Sequence, residues 1–192
     1  MSKKILVLLG NPDSDSFSGS MADRYQSGAE DGEHEVKRVN LGDLSFDPIL
    51  HSGYKTIQEL EPDLVDLQEK INWADHLVIV YPNWWCTMPA LLKGTFDRIW
   101  LPGFAFNFDK ETHKIVKHLA GKTARVIIIS GSHSPIKTWW SYGDFTNEIQ
   151  YGILEFAGIK TQVSAYGPTN HSPEPKKEKW FSEMKRLGAK GV

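Results

Sequence analysis

The chain of 192 residues is 40% hydrophobic, enough for one full-sized core, so a single domain over residues 1–192 is expected. Lys and Arg total 22 against 24 Asp and Glu, and a net charge of -2 gives no electrostatic case for nucleic acid or an anionic membrane as partner. The single cysteine, Cys86, excludes an intrachain disulfide framework, and the apolar run at 5–9 is too short for a signal-peptide core or a membrane span, so a cytoplasmic protein acting on a small molecule or another protein is expected.

In chain order, KKILVLLG (3–10) reads as a first strand, apolar throughout as a strand buried on both faces would be. The loop GNPDSDSFSGS (10–20) follows, and then a helix with Phe17, Met21, Tyr25 and Ala29 on one face. HEVKRVNL (34–41) is the second strand, 42–56 is irregular, and Leu64, Leu67 and Ile71 mark the second helix. DHLVIVYP (75–82) is the third strand, ending at Pro82 in the loop YPNWWCTMP (81–89). Pro89 suits the first turn of a third helix carrying Leu91, Leu92, Phe96, Ile99 and Trp100. After an irregular stretch at 102–122 come the fourth strand ARVIIISG (124–131), a long loop at 132–143 and a fourth helix marked by Phe145, Ile149 and Ile153. IKTQVSAYG (159–167) is the fifth strand, and Trp180, Met184 and Leu187 define the fifth helix.

Five strand–helix alternations predict an α/β fold: a doubly wound five-stranded parallel sheet, order 2-1-3-4-5, with helices on both faces. Ligands of such sheets sit beyond the carboxyl ends of strands one and three, which puts the loops at 10–20 and 81–89 on either side of the crevice.

The first loop brings Ser14, Ser16, Ser18 and Ser20 to a helix start, where hydroxyls and unpaired amides suit an anion such as phosphate. The same residues equally suit a plain helix cap, with Asp13 and Asp15 as solvated turn residues. Trp84 and Trp85 could lie against an aromatic heterocycle or fill the core or a subunit interface. Their position at the switch point matches a ligand with a phosphate at one end and a flat ring at the other, the shape of flavin mononucleotide (FMN). Neither GxGxxG nor GxxxxGK[ST] occurs. A cysteine phosphatase loop would need arginine where Leu92 stands, which leaves Cys86 as a buried small residue or a ring-edge contact. A phospho-receiver would need aspartate where Tyr81 and Pro82 end the strand, and the histidines lack metal-ligand spacing, so no metal is expected.

NPDSDSFSGSMA, YPNWWCTMPALLKGTFDRIWLPGFAF and IIISGS together resemble the flavodoxin-like NAD(P)H:quinone oxidoreductases, the family of DT-diaphorase and its shorter bacterial relatives. The resemblance implies FMN, or FAD as the alternative, with NADH or NADPH as hydride donor and a quinone-type acceptor in ping-pong kinetics. A non-catalytic flavin carrier or regulatory ancillary subunit is the alternative. It assigns Ser16, Phe17 and Ser18 to the phosphate and ribityl turn, with Asn11 where the family has histidine. It assigns Pro82, Asn83, Trp84, Trp85 and Cys86 to the ring edge, and Ser130, Gly131 and Ser132 to the third loop, Ser132 standing where the family has glycine. Tyr142 takes the place of the tyrosine that assists the reduced ring, with His133 a poor substitute for its histidine. In LPGFAFNF (101–108), Phe104 is expected inside its own subunit. Phe106 and Phe108 are expected to wall the partner's pocket in a homodimer with shared sites.

Overall fold

The computed structural model describes residues 2–192. Its elements are β1 (Lys4–Leu9), α1 (Phe17–Asp31), β2 (Glu35–Asn40), α2 (Pro62–Trp73), β3 (His76–Pro82), α3 (Ala90–Ile99), β4 (Phe106–Phe108), β5 (Ile115–Lys117), β6 (Thr123–Ile129), α4 (Pro135–Tyr142), a π-helix (Glu148–Glu155), β7 (Lys160–Tyr166) and α5 (Glu174–Lys190). Five strands form one parallel sheet in the order β2-β1-β3-β6-β7, so the five expected strands take the expected order and the winding reverses between β1 and β3.

The apolar runs in β1, β3 and β6 serve two cores, because alternate side chains leave opposite faces of the sheet. Leu6, Leu8, Leu77, Ile79, Val126 and Ile128 pack with α2, α3 and the π-helix. Ile5, Val7, Leu9, Val78, Val80 and Ile127 pack with α1 and α5. The latter two helices touch backbone to backbone: a Cβ at Gly28 would stand 2.0 Å from the Lys185 carbonyl oxygen, and one at Gly188 2.1 Å from that of Tyr25. Only glycine permits so close an approach.

The structure corrects four local expectations. The stretch 102–122 contains the antiparallel hairpin β4–β5. The loop expected at 132–143 contains α4, started by Ser134, whose hydroxyl accepts the Lys137 amide. The fourth helix is a π-helix, and Phe145 lies before it. Ile149 and Leu154, both fully buried, are five residues apart, the spacing of a π-helical hydrogen bond. Pro89 is the N-cap of α3, one residue before its first turn.

Segment 44–61 has no regular structure of its own and is pinned by Arg98, whose guanidinium is fully buried at the end of α3. Arg98 donates to both carboxylate oxygens of Glu61 (3.1 and 2.8 Å), to the Glu59 carbonyl at 2.7 Å and to the Asp47 carbonyl. That pairing holds the Glu61 carboxyl below its ordinary range. No described helix is long and apolar enough to cross a membrane.

Candidate functional site

A cleft of about 780 Å³ opens at the carboxyl end of the sheet, over the reversal of winding. Four loops build it, one after each of β1, β3, β6 and β7.

The loop after β1 contributes Asn11, Ser16, Phe17 and Ser18. Ser16 caps α1: its Oγ accepts the Gly19 amide at 3.1 Å and the Asn11 side-chain amide at 2.8 Å. A hydroxyl has two lone pairs and one proton. With both lone pairs engaged, the proton remains to donate, beside the first-turn amides of Phe17 and Ser18 and the positive end of the helix. Cap and anion site, alternatives in the sequence, are therefore compatible in one side chain. Ser14 and Ser20 are exposed and lie outside the cleft lining, as do Asp13 and Asp15. The Asp13 carboxylate turns back to accept the Asp15 amide at 2.9 Å.

The loop after β3 contributes Pro82, Asn83, Trp84, Trp85 and Cys86. Trp84 and Thr87 exchange backbone hydrogen bonds of 3.0 and 3.1 Å around Trp85 and Cys86, whose φ values are 54° and 64°. Two successive left-handed residues make the mirror-image turn that glycine and asparagine ordinarily supply, at about 1–2 kcal/mol for each other residue. The turn is held by a 2.5 Å bond from the Thr87 hydroxyl to Glu148. It pushes Trp85 out to 97% exposure, so this indole does not fill the core of its own chain. At the base of the loop, Asn83 Oδ1 is buried with no hydrogen-bond partner, an acceptor that a ligand N–H would satisfy. Tyr81 behind it is core, its phenol pushed well above the ordinary range by burial and then by Glu148.

The loop after β6 contributes Ser130, Gly131, Ser132 and His133, and α4 adds Thr138 and Tyr142 from adjacent turns. Tyr142 is exposed, its ring edge-on to His133 at 6.2 Å. All twelve residues expected to hold a cofactor, Asn11, Ser16–Ser18, Pro82–Cys86 and Ser130–Ser132, thus line one cleft together with Tyr142. Phe106 and Phe108 do not. Phe106 stacks edge-on with Phe156 (4.9 Å) and Phe108 (5.5 Å) and lines a separate hollow with Phe96 of α3 and Ile153 of the π-helix, and Phe108 is 59% exposed. Phe104 is half-buried against Trp100 at 5.9 Å.

Sequence reasoning missed Thr169 and Asn170, which follow β7 and close the cleft. Their amides donate to the carbonyls of Ser130 and Gly131 at 3.0 Å each. A signal existed: GPTN stands at the carboxyl end of a fifth parallel strand, where the switch-point rule places ligand loops.

Comparison with known proteins gives a match to the family described as having a flavodoxin-like fold, over residues 3–189. A ribosyldihydronicotinamide dehydrogenase [quinone] of Pongo abelii is 28% identical over 204 residues, covering 91% of this chain and 86% of that protein. The solved NAD(P)H:quinone oxidoreductase from Methanothermobacter marburgensis superposes with a TM-score of 0.82 at 22% identity, covering 98% of each chain. An FMN-dependent NADH-azoreductase from Bacillus anthracis, solved in complex with FMN, gives 0.78 at 19% identity over 99% of each chain.

Proposed function

The chain belongs to the flavodoxin-like family that it matches over residues 3–189, and from that premise we propose that it is a flavin-dependent NAD(P)H oxidoreductase that reduces quinones. In the overall reaction NAD(P)H, a proton and a quinone give NAD(P)+ and the hydroquinone, two electrons passing from one carbon of the donor to the acceptor ring. The observation that carries the reading is the cleft itself, with free neutral donors at one end and an aromatic turn with an orphaned acceptor at the other.

The residues present fit FMN, with FAD as the alternative. The Ser16 hydroxyl proton and the Phe17 and Ser18 amides would hold the phosphate. Asn83 Oδ1 would take a ring N–H, and Trp84 or Trp85 would lie along the ring system. A bound flavin supplies reversible two-electron hydride chemistry. The protein's part is orientation and charge: the amides of Trp85 and Cys86, which the Trp84–Thr87 pairing leaves free, and of Gly131 would face the edge where negative charge gathers, and the Tyr142 hydroxyl could hold a proton there. Donor and acceptor must use the same open cleft in turn, which gives ping-pong kinetics.

Phe106 and Phe108, which lie off their own chain's cleft, fit walls offered to a second copy in a homodimer. Steady-state oxidation of NADH or NADPH with a simple quinone tests the function. Many turnovers per chain support the enzyme, whereas a yellow and inert protein supports the flavin carrier.

A further inference from the structure

We propose that the cleft selects its acceptor by charge, taking uncharged quinones and disfavouring those that carry a fixed negative group. The inference rests on the quinone-reducing reading above and deepens it.

Among the described residues, no Asp, Glu, Lys or Arg lines the cleft. Its polar surface is hydroxyls, side-chain amides, backbone and the single imidazole of His133. The charged residues that flank the lining loops are mostly acidic. Asp13 and Asp15 are exposed on the first loop, Asp144 follows Tyr142 by two residues, and Glu148 accepts the Thr87 hydroxyl. The Asp144 carboxyl is held below its ordinary range by the Thr146 side chain and amide, so it stays ionised. The cation adjoining a lining residue is Lys137, exposed on α4 beside Thr138; beyond the fourth loop Lys177 pairs with Glu174 at 3.4 Å, and Lys176 lies over the Trp180 ring.

A neutral site can still hold one anion. The capped start of α1 offers a cluster of free donors with a helix dipole behind it, and a flavin phosphate would use it. That phosphate would add roughly −1.5 to −2 charges. A second anionic group fixed directly on the acceptor's reacting ring, unlike the phosphates of NAD(P)H, which a ribose separates from the nicotinamide, would then exchange hydration for neutral hydrogen bonds, with carboxylates around it and no cation in the lining. A quinone without charge meets none of this and gains from Trp84, Trp85 and Tyr142. A penalty the size of one charged hydrogen bond predicts about a tenfold loss in kcat/KM, or more.

The test compares 1,4-naphthoquinone with 1,4-naphthoquinone-2-sulfonate on the flavin-loaded enzyme. The sulfonate withdraws electrons and makes its quinone the stronger oxidant, so driving force favours the disfavoured substrate. At about 0.01 M ionic strength, where screening is weak, the sulfonate is expected to show about tenfold lower kcat/KM, the gap narrowing with added salt. Asn170→Lys and Ser132→Lys, each placing a cation in the lining, should narrow it further. Parity or preference for the sulfonate at low salt overturns the charge selection alone. A gap indifferent to salt and to both lysines also overturns it, since size would then be the cause. Failure to oxidise NADH or NADPH with either quinone overturns it together with the quinone-reducing reading.

Discussion

Trp85 joins two costs that a protein ordinarily avoids in one residue, a left-handed backbone and an indole in water. Strain of this kind persists where the surroundings impose it, and here Thr87 and Glu148 do so. The cost is recovered if a flat ring covers the indole. Trp85→Ala should therefore weaken flavin binding by about 1–3 kcal/mol and leave the melting temperature of the apoprotein nearly unchanged. A fall in apoprotein melting with unaltered flavin affinity would make this a structural tryptophan instead. The sequence marked the residue because two tryptophans stand where a buried strand ends. It could not mark the positive φ, which in sequence is signalled by glycine or asparagine and is here carried by Trp and Cys. Arg98 was invisible for a related reason: an arginine on a helix reads as surface charge until a loop distant in sequence is seen to wrap it.

At the scale of elements, strands and long helices were legible because their side-chain periods are strong and their cores continuous. The hairpin β4–β5 was not, since three-residue strands carry too little pattern. Nor was α4, eight residues whose Ile136, Trp139 and Trp140 face water and so give no apolar stripe towards a core. The contact between α1 and α5 also escaped pattern reading, because it rests on glycines that leave room for backbone. Gly188→Ala would drive a methyl against the Tyr25 carbonyl and should cost about 1–3 kcal/mol or more. Denaturant titration of the apoprotein measures this directly, and an unchanged midpoint would mean that α5 shifts freely over α1. The flavin affinity of the folded variant should stay close to wild type, since neither residue lines the cleft.

For the whole molecule, pH sensitivity should come from the amino end of the sheet, opposite the cleft. His76 is buried, its Nδ1 2.7 Å from the Thr123 hydroxyl and its Nε2 without a partner. Burial first, then the charges of Lys3, Arg125 and His34, push its pKa down to about 3 from an ordinary 6.5. Between those values the unfolded chain binds a proton that the folded chain refuses. Stability is thus full above pH 6.5 and falls towards pH 3, by up to about 1.4 kcal/mol per pH unit from this group. His76→Leu should flatten that slope, and an unaltered slope would assign it to other groups. Assembly is a second property at this scale: sedimentation should find a species of two 21.7 kDa chains, and full activity in a single chain would show that Phe106 and Phe108 wall no neighbour's cleft. The central claim is that the cleft at the switch point holds a flavin. Denaturing the purified protein and identifying what it releases tests this most directly. The expected result is a yellow protein that yields one FMN per chain, and a colourless protein that takes up neither FMN nor FAD at micromolar concentration would contradict the account.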